Sequence, residues 1–487
     1  MRREPDLAPT PIDVPSDEEP WSERSSARIA ALTAVLCLSA FNLLWHLDRA
    51  DWHFDELIYR SDGWDAVHGR VPPTNDHPLF GKVLIGISQE LFGRGPVGVR
   101  LVPALLSLSA TVAIFLLGRH LGGWWAGVVA AALWAALPRA LIVAGETTGV
   151  VRADRYGLLD TVAFAIVAWG LFAAIKWIDR PSLAGAVGTG VVLGLALASK
   201  LSTAPVLAAV ALVALLVIRP LRVAALQAGA VVAAAVTAFL LTYQPFSLGW
   251  ALPRAMVRWQ LDHAGVGHTT VVGGTVWTKE PWWANGLNWS TGMGRVVAVT
   301  LLLLCLAAWR GRDRLGVALL WVVLLALVTS LALGPVALVH YWTAWVAPML
   351  VLAGVGLCAL FADGGWRRAM ATVAAVILAS SGALATVHIA TLQRGDYARM
   401  AADVHAHSAP PEVGLSLGSR LDGYFPDIQS TYATLAGRHV HMDLLVIEDQ
   451  FAAAARPAVI ARLRSEARAS GLTPYREGHL EYWYRHR

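Results

Sequence analysis

Two polar segments stand close together near the start of the chain, WHFDELIY (Trp52 to Tyr59) and NDHPLFGK (Asn75 to Lys82). They concentrate Asp55, Glu56, Asp76, two histidines and Lys82. A carboxylate can take a proton from a hydroxyl, and a lysine or arginine can hold the charge of a phosphate as a bond to it breaks. The same residue types recur further on. RADRYGLLD carries Arg152, Asp154, Arg155 and Asp160, a Ser-Lys pair ends at Lys200, and HAGVGH carries His263 and His268. Lys279, Glu280 and the tryptophans Trp277, Trp282, Trp283 and Trp289 follow.

These groups lie between long apolar stretches. With 487 residues, 56% of them hydrophobic and only 15% charged, the chain is too apolar for an ordinary soluble enzyme and reads as an all-α polytopic membrane protein. The formal charge of +5 is modest and serves orientation in a bilayer, so no nucleic-acid partner is expected. The three cysteines, Cys37, Cys305 and Cys358, fall inside apolar runs with no metal-site spacing. Only Lys82, Lys176, Lys200 and Lys279 are lysines, against a background of arginine.

Runs long enough to cross a bilayer are expected near 29–47, 98–119, 123–142, 159–178, 183–199, 202–218, 222–243, 296–309, 315–333, 342–361 and 368–388, about eleven spans. Residues 1–27 read as a disordered cytoplasmic tail, 28–390 as the membrane domain with large loops at 48–97 and 244–295, and 391–487 as a small α/β domain outside the membrane. Within that last region, apolar runs at VGLSL, HMDLLVIED and EYWYR alternate with a helical stretch at 450–468. The arginine distribution sets the orientation. Ten basic residues fall in five short loops (Arg119; Lys176 and Arg180; Arg219 and Arg222; Arg310, Arg312 and Arg314; Arg367 and Arg368), against Arg152, Arg155 and Lys200 in the short loops opposite. The long loops therefore lie outside. One-sided clustering of ionisable groups suits a site at the bilayer face; a transporter more often carries them at mid-span.

The order of these motifs, FDE after the first span, HPLFGK before the second, RYGLLD before the fourth, the Ser-Lys pair and HAGVGH followed by Gly-Gly, resembles the GT-C glycosyltransferases. The resemblance is to the protein O-mannosyltransferase and aminoarabinose-transferase superfamily, and it covers roughly residues 30–390. The HPLFGK run lacks the second proline of the family's usual HPPLGK-like run. The resemblance implies an inverting transfer of a sugar, mannose-like or another pentose or hexose, from a polyprenyl-phosphate carrier to a hydroxyl on protein, lipid or cell-wall glycan, at the outer face of a bacterial plasma membrane. A polyprenyl-linked sugar flippase or transporter is the alternative.

Such a transfer needs a base, and the family pattern places it at Asp55, with Glu56 orienting the acceptor or a cation. The leaving phosphate needs basic groups. Arg155 and Lys200 fit, with Arg152 and Lys82 behind them, although snorkelling at an interface explains basic residues there equally well. Asp160 would complement a helix N-terminus or hold the arginine, and Asp76 supports the same loop. His77 precedes a proline and is biased to an extended backbone that can present its ring. His263 and His268 are five apart, which does not make a helical zinc pair, so they are expected on phosphate or sugar. His340, Tyr341 and Pro348 match a further family element but read as packing. Metal dependence stays open, because Asp55 with Glu56 alone is a weak ligand set for a divalent cation.

Overall fold

The computed structural model describes residues 21–141, 151–246, 250–268, 270–273, 275–310, 313–334, 336–417, 421–425, 428–432 and 442–486. Most of the expected tail, residues 1–20, and Arg312 lie outside them. The first helix, Trp21–Leu44, begins inside the stretch read as tail.

Each of the eleven expected stretches contains helix, although 123–142 is helical only over Trp124–Ala136, with strand Ala140–Leu141 beyond it. Among the described residues, however, seven helices are long and apolar enough to cross a bilayer, and the pair Ala284–Met293 and Arg295–Arg310, bent by 105°, makes an eighth if it is one span. The other three, Trp124–Ala136, Leu183–Leu197 and Leu201–Val217, are shorter. At 1.5 Å per residue, helices of this size reach only about 20–25 Å of the roughly 30 Å hydrocarbon core. The helices pack through one large core of alanine, valine, leucine and tryptophan that includes Leu117, Leu171, Leu301, Leu320 and Leu350.

The two long loops are not irregular. The first folds into helices Phe54–Val67 and Leu79–Phe92, and the second contains helix Ala251–Val266, the strand pair Thr270–Val272 and Thr275–Trp277, and helix Ala284–Met293. Phe54–Val67 starts with a capping box: His53 Nδ1 accepts the Asp55 amide at 3.2 Å, while Glu56 Oε2 accepts the His53 amide at 2.9 Å. The FDE motif is thus the first turn of a helix, where acids complement the positive end of the dipole. The first-loop helices cross at Gly63 and Gly86. A Cβ on Gly86 would sit 2.0 Å from Gly63 O and one on Gly63 2.5 Å from Lys82 O, so only glycine permits the approach that brings Lys82 beside Asp62.

The C-terminal region forms a five-stranded mixed sheet in the order Gln429–Tyr432, Val413–Leu417, Leu444–Glu448, Leu480–Tyr484, Thr473–Glu477, with the first three strands parallel and the last two antiparallel. Helix Asp396–His407 covers one face through Tyr397, Met400 and Val404, and helix Pro457–Ala469 covers the other through Ile460 and Leu463. Buried Asp51 holds this region against the first loop. Its carboxylate accepts the amides of Tyr397 (3.1 Å) and Ala398 (3.2 Å) at the start of helix Asp396–His407, and the Tyr424 hydroxyl at 2.6 Å. Trp52 Nε1 donates to Gly423 O at 3.1 Å.

Candidate active site

Four groups from four separate parts of the chain meet at one end of the helical bundle. Asp55 comes from the first turn of Phe54–Val67, Asp160 from the first turn of Leu159–Asp179, Lys200 from the turn after Leu183–Leu197, and His340 from the turn before Tyr341–Trp345. Lys200 Nζ donates to Asp160 Oδ2 at 2.5 Å and lies 4.3 Å from the centre of the Tyr341 ring. His340 Nε2 lies 3.3 Å from Asp160 Oδ2 and 3.6 Å from Asp55 Oδ2, and its ring stands edge-on to His53 at 5.2 Å. Asp160, Lys200 and His340 are buried, while the Asp55 side chain keeps 14% of its surface exposed. Burial pushes the Asp55 carboxyl above its ordinary value; His340 and Lys200 pull it down, and Asp160 and Asp76 add to the rise. Asp55 is therefore a sheltered carboxylate that is more basic than a surface aspartate. His340, read from the sequence as packing, stands at the centre of the cluster. The sequence signal that could have found it was its position beside an aromatic turn after the second long loop.

Glu56 is not part of this cluster, which corrects the expectation that it orients the acceptor or a metal. Both its oxygens are engaged: Arg100 forks onto them at 2.8 Å each, and Oε1 also accepts the Gly157 amide at 2.7 Å. Arg100 spends its remaining donors on the carbonyls of Leu47, Ala50 and Asp51. The pair is a buried brace that fixes the turn on which Asp55 sits. Asp55 with Glu56 is therefore not the cation set; at this end of the bundle, among the described residues, the groups spaced to share an ion are His53, Asp55 and His340, whose ligand atoms lie within 4.8 Å of one another.

Three of the expected phosphate-binding groups are likewise committed elsewhere. Arg155 is buried and donates to the carbonyls of Asn42, Trp45 and His46, tying down the end of the first helix; burial pushes its pKa down to about 10. Arg152 pairs with Asp154 at 2.9 Å and bonds the carbonyls of Ala135 and Trp134. Arg139, which belongs to none of the sequence motifs, reaches the same Asp154 at 2.6 Å. Lys82 uses its ammonium on Asp62 (2.8 Å), Asp76 (2.9 Å) and Thr74 O (2.6 Å), so Asp76 supports Lys82. A phosphate would have to displace strong buried bonds at each of these residues. Of the four basic residues, Lys200 alone reaches the cluster around Asp55.

The histidines line an approach. His77 contacts Gln260 at 3.0 Å and packs edge-on against Tyr59 and Trp259; burial pushes its pKa down to about 3, so the ring is neutral. Trp259 stacks on His263 at 4.7 Å, and His263 meets His268 at 5.4 Å, completing a ladder of rings from Tyr59 to exposed His268. Beside it runs an apolar groove of about 550 Å³, lined by Leu201, Phe239, Leu240, Arg254, Val257 and Arg258. Leu201 follows Lys200 directly, so the groove begins next to the cluster. The two arginines on its wall were missed in the sequence because they belong to no motif. Of the tryptophans, Trp282 and Trp283 are exposed and Trp289 is buried against Trp345.

Fold and site define a polytopic membrane protein with the GT-C architecture and a small C-terminal mixed sheet. Residues 76–246 match the sequence profile of the family described as dolichyl-phosphate-mannose-protein mannosyltransferase. Across 232 residues the chain is 28% identical to a polyprenol-phosphate-mannose–protein mannosyltransferase of Mycolicibacterium smegmatis; the match covers 41% of this chain and 43% of the relative, less than half the length of each. Among solved structures, ArnT from Cupriavidus metallidurans in the apo state superposes with a TM-score of 0.60 at 16% identity, covering 95% of this chain and 98% of that one. The apo oligosaccharyltransferase of Archaeoglobus fulgidus gives 0.57 at 12% identity, covering 90% and 72%. At these identities the likeness is one of fold.

Proposed function

We propose that the chain is an inverting glycosyltransferase that moves a sugar from a polyprenyl-phosphate carrier to a hydroxyl acceptor at the outer face of a bacterial plasma membrane. The observation that carries this reading is the sheltered Asp55 carboxylate, set 3.6 Å from His340 and held in one cluster with Lys200. In the proposed step the Asp55 carboxylate takes the proton of the acceptor hydroxyl. The hydroxyl oxygen bonds to the anomeric carbon from the face opposite the carrier, and the bond from that carbon to the phosphate oxygen breaks, leaving polyprenyl phosphate. Lys200, backed by Asp160, supplies positive charge near the site, and Arg254 and Arg258 offer more along the apolar groove, which suits a prenyl chain.

Several facts support the reading. The matched family segment includes His77, Lys82, Asp160 and Lys200. The name of the mycobacterial relative makes mannose the first sugar to test and protein the first acceptor, ahead of lipid or cell-wall glycan. The basic loops gather at the bundle end opposite Asp55, where Asp179, Asp313 and Asp363 pair with His120, Arg310 and Arg367, and the excess of arginine there favours the cytoplasm for that end. A flippase is the weaker reading, because the ion pairs around Asp55 sit at helix ends and not at mid-span.

The test is to incubate the purified protein with a panel of radiolabelled polyprenyl-phosphate sugars and candidate acceptors, using Asp55→Asn as the control. Wild-type protein should transfer one sugar, or slowly release it to water, and the variant should not. If wild type binds the lipid yet no sugar leaves any carrier, the reading fails.

A further inference from the structure

We propose that the cluster in front of Asp55 is a binding site for one divalent transition-metal ion, held by Asp55 Oδ2, His340 Nε2 and a ring nitrogen of His53. A four-coordinate ion with bonds of about 2.0–2.1 Å to nitrogen and oxygen separates its ligand atoms by about 3.3 Å. Here Asp55 Oδ2 lies 3.6 Å from His340 Nε2 and 3.9 Å from His53 Nδ1, and one ligand atom from each of the three lies within 4.8 Å of the other two. Movements of a few tenths of an ångström to about one ångström would close the set.

A second observation points to a ligand independently of the spacing. His340 is only 1% exposed; among the described residues its Nδ1 has no hydrogen-bond partner, and its Nε2 faces the Asp160 and Asp55 carboxylates at 3.3 and 3.6 Å without the alignment of a hydrogen bond. A buried imidazole left in that state is costly, and groups of this kind are normally satisfied. A cation accepting the Nε2 lone pair, between a carboxylate and a second imidazole, would satisfy that nitrogen and fix the proton on Nδ1. Chemistry narrows the ion: two imidazoles and one carboxylate favour zinc, with the harder manganese second, over magnesium or calcium, which take oxygen ligands. The charge balance agrees. Asp160 is already paired with Lys200, so Asp55 alone contributes an unpaired negative charge to the ligand set. The filled site would carry a net charge of about +1, suited to an anionic donor.

A bound cation would pull the Asp55 pKa down against the rise that burial causes, so with the ion present Asp55 would hold and orient the acceptor hydroxyl and be a weaker base than in the metal-free site. The same oxygen, Oδ2, faces both imidazoles, which leaves Oδ1 for the acceptor hydroxyl. His53 is the weakest of the three ligands because its Nδ1 also caps helix Phe54–Val67. The inference deepens the role given to Asp55 above, but binding of the ion does not depend on turnover.

The experiment uses the full-length protein, purified in detergent, stripped with chelator and titrated with Zn²⁺ and Mn²⁺ alone. Bound metal is counted by elemental analysis, and Co²⁺ substitution is followed by its visible absorption. One equivalent should bind and raise the unfolding temperature of the wild type. His340→Gln should weaken it about 100-fold and His53→Gln about 10-fold, as loss of a direct ligand costs at least as much as loss of an outer partner. His120→Gln serves as the control, because His120, Asp179 and Asp313 are, among the described residues, the other grouping with compatible spacing. The proposal is overturned if no stoichiometric binding or thermal shift occurs in wild type, or if binding survives His340→Gln and is lost in His120→Gln. Sugar transfer measured on the same preparation separates the two readings: transfer by wild type that takes up no ion on titration overturns the metal site and leaves the transferase standing, whereas one bound equivalent with no transfer from any carrier leaves the ion site standing and overturns the transferase.

Discussion

The two ends of the helical bundle each bring histidine and aspartate together, with opposite physical consequences. At one end, His340, Asp160 and Lys200 are almost sealed, and Asp55 opens only slightly. At the other, His120 Nε2 lies 2.7 Å from Asp179 and 3.8 Å from Asp313, with each side chain about a quarter exposed. Exposed pairs are screened and contribute little, whereas buried ones interact strongly and shift each other's protonation. Similar residue types therefore make a candidate reactive centre where helix ends are covered by the folded long loops, and a solvated rim where the connecting turns are short.

Substitutions can break this contrast. The largest expected effect is Asp55→Asn, which should lower sugar transfer about 10²- to 10⁴-fold, the range of a positioned base, with lipid binding kept; a scintillation assay on extracted acceptor checks it. Glu56→Gln should act through stability. It leaves Arg100 buried without its charge partner and should destabilise the protein by about 3–5 kcal/mol, read from thermal unfolding in detergent. Lys200→Ala should reduce kcat/KM about 10²-fold through loss of charge beside the leaving group, and steady-state kinetics would show it.

Protonation offers a finer test. A base works only when ionised, and the Asp55 pKa is raised, so transfer should fall with decreasing pH along a limb centred above the ordinary aspartate value of 3.8. His340 lowers the Asp55 pKa, so His340→Gln should move that limb to higher pH; a pH–rate profile with the limb unmoved would remove His340 from the proposed cluster. The smallest effect belongs to the opposite end. His120→Ala should cost no more than about 1 kcal/mol of stability and leave transfer essentially intact, as expected for a screened surface pair.

The first loop shows how one motif can divide its residues between these roles. FDE is a single turn of helix, yet Asp55 points to the cluster while Glu56, its neighbour, is consumed by Arg100, which comes from 44 positions later. HPLFGK divides in the same way: His77 lines the approach and Lys82 is locked onto Asp62 and Asp76. In both cases residue type and order were legible, but the partner was not, because it comes from another helix.

By itself the sequence determined the membrane class, the helical stretches, the C-terminal sheet's main strands and the candidacy of Asp55, Asp160 and Lys200. Those follow from local quantities: runs of apolar residues, alternation, and charged groups placed at the ends of apolar segments. Tertiary structure decided which charges are spent. Arg152, Arg155 and Lys82 look alike as basic residues beside membrane spans, but each satisfies buried carbonyls or carboxylates at short range. His340 matched a family element in the sequence but read as packing until folding set it between Asp55 and Asp160. Burial and pairing depend on which helix ends converge, and that convergence arises from packing across the whole bundle, which no local window of sequence contains.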